Sequence, residues 1–195
     1  KRVPDATIWG IHAGRFGEAD SLFLGKKLIA IGWPEFGDLG HFRTREEYKK
    51  HYEKVYPNAK PGAIPTSAGQ LYRFCHEAKE GDLVVYPAKL TRRIWIGRIA
   101  GPYTHHPDID ERYSHQRKME WLKEFPRTYF SQGALYETGS AMGFFQVKTY
   151  AKEFRAALVG KTSPVPVVGD PTVVVAEDIE QTTRDFILKT LSQEL

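Results

Sequence analysis

The chain has 195 residues, of which 41% are hydrophobic and 27% charged, the make-up of a soluble globular protein large enough to bury a core in one domain. No stretch approaches the roughly 20 apolar residues of a membrane span, and "KRVPDATIWGIH" at the start lacks the apolar run of a signal peptide. The single cysteine, Cys75, excludes an internal disulfide and a cysteine-based zinc site and fits a reducing cytoplasm. Charge is uneven. Residues 161–195 hold 3 Lys+Arg against 6 Asp+Glu, so the first 160 residues carry a net of +7 and the remainder −3. A basic body favours polyanionic partners.

In chain order, "TIWGIHAG" (7–14) predicts a strand broken by Gly14, and "GEADSLFLGKK" a short helix or turn leading into the strand "LIAIGW". "TREEYKKHYEKVYP" (44–57) predicts a helix, because Thr44 and Glu47 form a capping box and Pro57 stops it. After the loop "NAKPGAIP", the segment 66–82 predicts a second helix, capped by Thr66 or Ser67, with Leu71, Phe74, Cys75 and Ala78 at helical spacing. Three strands follow at 82–87, 92–103 and 115–125, joined by the short link "AKLT" and the longer loop "THHPDIDERYS". Residues 129–147 predict a short helix and a last strand, "FFQV", before an amphipathic helix over 148–160. This order is α+β, with a mainly antiparallel, curved sheet and helices at its rim. The Pro-rich stretch 161–176 reads as a linker, and 177–195 as the helical start of a further region.

No catalytic constellation stands out. The seven histidines show no H-x-x-x-H pair, there is no Walker lysine or nucleophile elbow, and "HEAKEGD" places its acids at a helix end rather than on paired strands. The residues 1–160 therefore read as a binding domain without chemistry of its own, needing neither cofactor nor metal. Trp33 draws attention because it stands at the lip of a strand, just before Pro34, where a core residue would sit further inside. Such a Trp is either a half-buried rim residue or a stacking wall for a planar ligand. Tyr113, in a polar loop, admits the same two readings, whereas Trp95 and Trp121 lie within strands and read as core. Lys89, Arg92, Arg93, Arg112, Arg117 and Lys118 cluster in sequence around the aromatic loops and together offer a phosphate track.

The series "IWGIHAG", "DSLFLGKKLIAIGW", "GDLVVYP", "RIWIGRIAGPY" and "YSHQRKMEWLKEFP" resembles the EVE and YTH branch of the PUA-like superfamily over roughly residues 6–150. The resemblance implies a PUA-like curved sheet or barrel. It also implies that Trp33 is one wall of an aromatic cage for a methylated base, with Tyr113 where YTH domains often carry a second aromatic. His12 and Ser21 would line that pocket and offer hydrogen bonds to a base edge. The whole chain also resembles the N-terminal portion of Mrr-like restriction endonucleases. That implies a reader of modified double-stranded DNA, residues 1–160, targeting a downstream nuclease in the same polypeptide. An RNA-binding module and a sensor pocket for a nucleotide or metabolite remain the alternatives.

Overall fold

In the computed structural model the chain divides into two units, Lys1–Ser163 and Pro164–Leu195, and the structure describes residues 6–161. The linker expected over 161–176 and the helix expected over 177–195 therefore lie outside the described residues, apart from Lys161. Six strands form one sheet: β1 (Ile8–Ile11), β2 (Leu28–Ile31), β3 (Leu83–Ala88), β4 (Arg93–His105), β5 (His115–Pro126) and β6 (Phe144–Gln146). Their order is β2-β5-β4-β3-β1-β6, and only the β1–β3 pair is parallel. The result is the curled, mostly antiparallel half-barrel with helices that the sequence predicts.

The curl has a local cause. Register shifts at Ile96/Gly97 and Ile99/Tyr103 mark two irregularities, the first leaving Leu122 of β5 without an opposite residue and the second adding residues to β4. Such bulges bend the paired strands and sharpen their twist. Gly97 is required at the first, since a Cβ there would lie 2.7 Å from the Trp121 ring and 2.8 Å from the Glu120 carbonyl. The parallel pair is stitched by Asp82 of the "GDLV" motif. Its carboxylate accepts from the Thr7 N–H at 3.1 Å, the Trp9 indole N–H at 2.9 Å and the Lys79 N–H at 2.9 Å. The most distinctive motif of the chain thus serves the fold rather than a ligand.

Alternation along the strands builds two apolar layers. Trp9, Ile11, Val84 and Tyr86 join the larger cluster with Phe74 and Phe144, whereas Ile8, Val85, Ile94 and Phe145 join a second. Among the described residues four α-helices complete them: α1 (Arg45–Val55), α2 (Ala63–Tyr72), α3 (Gln132–Thr138) and α4 (Ala151–Leu158). Tyr48 and Tyr52 of α1 and Leu71 of α2 pack into the larger cluster, while Ala134 of α3 and Phe154 of α4 cover the smaller. Each large side chain so buried stabilises the fold by about 1.5–3 kcal/mol.

The capping box forms as expected, with Thr44 Oγ1 accepting from the Glu47 N–H and Glu47 accepting from the Thr44 N–H. The second helix departs from expectation. It begins at Ala63, not at Thr66, because Pro65 fits a first helical turn where its missing N–H costs no hydrogen bond. It then passes into a π-turn at Arg73–Glu77. A second π-turn, Ser21–Gly25, occupies the short element expected between β1 and β2. Among the described residues, no helix is long and apolar enough to cross a membrane.

Candidate functional site

Trp33 leaves β2 with φ 64° and ψ 53°, a left-handed conformation that side chains other than Gly adopt at a cost of about 1–2 kcal/mol. Something must hold it there. The His115 imidazole does so: its Nε2 lies 3.0 Å from the Trp33 carbonyl, which can only accept, so Nε2 carries the hydrogen. Its Nδ1 then accepts from the Tyr103 hydroxyl at 3.0 Å, and that hydroxyl itself accepts from the Leu39 N–H at 3.1 Å. The far edge of the Trp33 indole is fixed as well, its Nε1–H donating to Tyr52 Oη at 3.2 Å. The ring is half-buried against the larger cluster.

Burial pushes His115 from its ordinary 6.5 down to about 4, against the Trp33 carbonyl, which favours the charged form. The unfolded chain takes up this proton near pH 6.5, but the fold resists it until about pH 4. The contribution is therefore complete above pH 6.5, declines as pH falls through that window, and is gone below it. Between pH 7 and 5 the loss attributable to His115 should be about 2 kcal/mol. Urea unfolding of wild type and His115→Gln at both pH values checks this; equal pH slopes would refute the assignment. Burial lowers His12 too, so the difference between the two slopes, not the slope of wild type, carries the result.

Tyr113 sits two residues before His115, in the loop between β4 and β5, and is buried against the same cluster. Its hydroxyl donates to Glu18 Oε1 at 3.0 Å, and its own N–H donates to Asp110 Oδ1 at 2.8 Å. Glu18 follows the "HAGRFG" loop. Its other oxygen accepts from the Phe16 N–H at 2.8 Å, and Arg112 pairs with Oε1 at 3.4 Å. Desolvation opposes ionisation of Glu18, but its own and the Phe16 backbone N–H groups, then Tyr113 and Arg112, outweigh it and hold the carboxyl at about 2. Gly14 makes this approach possible. With φ 78°, it occupies a place where a Cβ would lie 2.3 Å from Tyr113 Oη.

Two further polar groups flank the first residue of β5. Ser114 and Gln116 are each 1% exposed, and Ser114 Oγ and Gln116 Oε1 have no hydrogen-bond partner among the described residues. Gln116 is oriented by its Nε2–H, which donates to the Tyr113 carbonyl at 3.0 Å. Buried polar atoms are nearly always paired, and an unpaired one costs about 1–3 kcal/mol. The two flank His115 in sequence, and among the described residues His12 Nδ1 and Trp95 Nε1 share their unpaired state.

The other expected residues divide. Lys89 and Arg92 are exposed in the β3–β4 turn, and Lys89 Nζ donates to the Arg15 carbonyl, tying that turn to the "HAGRFG" loop. Arg112 is exposed beside Tyr113, its guanidinium 5.6 Å from the ring centre. Arg93 instead opens β4, at its opposite end from the Tyr113 loop, and pairs with Glu124 at 3.6 Å. Lys118 is exposed along β5, packed beside Gly101.

Two expectations are corrected. Arg117 does not belong to a phosphate track: it is 3% exposed and donates to the carbonyls of Phe74 at 2.9 Å, Ala78 at 2.7 Å and Gly101 at 3.3 Å. His12 does not line the pocket with Trp33. It falls on the face of β1 that carries Ile8, with its Nε2–H donating to the Ser140 carbonyl at 2.8 Å and its ring 5.7 Å from that of Phe145. Ser21 is exposed at the start of its π-turn. Trp95 and Trp121 pack against the larger cluster as expected, and Trp121 Nε1–H donates to the Phe23 carbonyl at 2.7 Å.

The site residues that sequence reasoning missed are Glu18, Tyr52, Tyr103, Ser114, His115 and Gln116. Only "YSHQ" carried a signal: an uncharged polar run leading into a strand whose later residues are apolar or charged. Among the described residues, no three His, Cys, Asp or Glu side chains converge as metal ligands would.

Fold and site together define a curled α+β domain with a strained, clamped tryptophan at the exit of its edge strand. The chain belongs to the family described as "Domain of unknown function (DUF8426)", whose family model matches residues 9–144, from β1 to the first residue of β6. No curated protein matches the chain.

Proposed function

We propose that this domain reads a modified base in duplex DNA, flipped out of the helix and stacked on Trp33. The observation that carries the reading is the left-handed Trp33, whose carbonyl is clamped by His115 and whose indole edge is clamped by Tyr52. Strain of this kind persists where a side chain must be presented in one orientation. Tyr113, two residues before the histidine that clamps Trp33, would supply the second aromatic. Lys89, Arg92 and Arg112 would take phosphates, positioning the duplex without reading sequence.

The magnitudes are compatible. Extruding a base costs a few kcal/mol, and stacking on an aromatic wall returns about 1–3 kcal/mol per base. A methyl group in an apolar niche adds only about 1 kcal/mol, so strong discrimination needs a hydrogen bond that changes with the modification. On the resemblance of the whole chain to Mrr-like endonucleases, the reader would direct a nuclease that follows it.

The test is binding of one duplex made four ways: unmodified, or carrying 5-methylcytosine, 5-hydroxymethylcytosine or N6-methyladenine. A preference of about tenfold for one of them, 1.4 kcal/mol, is expected. Equal, salt-sensitive binding to all four would reject the reading. Tighter binding of single-stranded RNA than of any duplex would replace it with an RNA-binding role.

A further inference from the structure

We infer that Phe16 and Leu90 form a two-residue wedge that enters the base stack when the target nucleotide leaves it. This rests on the reading above and adds to it the device that keeps the duplex open. Both side chains are strongly exposed, Phe16 at 73% and Leu90 at 67%. Single exposed apolar residues are ordinary on protein surfaces. These two are set apart by three features of their surroundings.

They come from separate loops that are fastened together. Lys89 donates to the Arg15 carbonyl, and a Cβ on Gly17 would lie 3.3 Å from Leu90 Cγ. The Phe16 loop is also fastened to the candidate cage. Glu18 accepts from the Phe16 N–H with one oxygen and from the Tyr113 hydroxyl with the other, so one carboxylate joins the tip to the aromatic wall.

The charge around the tip is positive. Arg15, Lys89 and Arg112 flank it, the Arg15 guanidinium lies 5.5 Å from the Phe16 ring centre, and Glu18 is engaged by Arg112. An apolar point ringed by cations matches a duplex, whose interior is a stack of planar apolar faces and whose rim is phosphate. Proteins that kink DNA use Phe and Leu in this way, entering between base steps at a cost of a few kcal/mol. A wedge held at a fixed offset from Tyr113 would occupy the gap as the neighbouring pocket takes the base, and so oppose the base's return.

The Phe16→Ala/Leu90→Ala double variant tests this against three probes. They are the preferred duplex of the four-way comparison, the same duplex with an abasic site opposite the target base, and the target single strand. The last two need little or no help in opening. The ratio of affinities, paired duplex over abasic-opposed duplex, should fall about tenfold in the variant, with the thermal midpoint unchanged. An unchanged ratio, whether affinities stay constant or drop equally on all probes, would overturn the wedge while leaving the base reader standing. A wild-type protein with no preference among the four duplexes would instead remove the reading itself, and the wedge with it.

Discussion

Replacing Trp33 with glycine is expected to abolish discrimination between modified and unmodified duplex at a cost in stability of only about 1–2 kcal/mol. Glycine adopts φ 64° without penalty, so the substitution relieves about 1 kcal/mol of backbone strain as it deletes the ring. Against this stands the loss of the indole's packing and of its hydrogen bond to Tyr52, about 1 kcal/mol for the latter. Binding has no such compensation. Loss of a stacking wall worth about 1–3 kcal/mol lowers affinity for the modified probe by roughly 5- to 150-fold, down to the salt-sensitive level of the unmodified one. Trp33→Phe should keep part of the preference, since a smaller face remains but its edge cannot donate to Tyr52. Preference surviving in Trp33→Gly would remove Trp33 from the site and leave its strained backbone without a function.

Arg117→Ala should produce the largest loss of stability of any single substitution discussed, about 4 kcal/mol. The guanidinium donates to three carbonyls contributed by the Arg73–Glu77 turn and its exit and by the bend of β4. Its removal leaves three buried acceptors without donors, at about 1–3 kcal/mol each before the chain relaxes. Against a total stability of about 5–15 kcal/mol, the variant would stand near the threshold of folding. Arg117→Lys should restore only part of it, because one ammonium cannot span carbonyls arranged for a planar fork. Urea unfolding monitored by circular dichroism measures both. A loss under about 1 kcal/mol would show that Arg117 does not join those segments. The same pair separates structure from DNA contact. Lys89→Ala should lower the salt dependence of DNA binding by about one phosphate, whereas folded Arg117→Lys should leave it unaltered.

The contrast between Arg117 and Lys89 shows where reading a sequence stops. Both are basic residues near aromatic loops, and nothing in their neighbours separates a buried cation from an exposed one. Arg117 is buried because β5 pairs with β2 on one side and β4 on the other, and because the π-turn after α2 lays its carbonyls across that strand. These are contacts between segments far apart in the chain. His12 illustrates the same limit by a different route. A strand sends alternate side chains to opposite faces, and the sequence showed the strand but not which face the cage would use.

What the sequence determined by itself was local: the capping box at Thr44, the strand and turn order, the α+β class, and the suspicion that Trp33 at a strand exit before Pro34 had a purpose. Each depends on residues within a few positions of one another, where propensity and hydrogen bonding act directly. Only the tertiary structure decided that Trp33 is strained and held by His115, that Glu18 joins Phe16 to Tyr113, and that Asp82 is a stitch between strands. Those pairings bring together residues up to 95 positions apart, such as Glu18 and Tyr113. Their geometry follows from the sheet's register and curl, and one residue's slip in register would send every side chain of a strand to the other face.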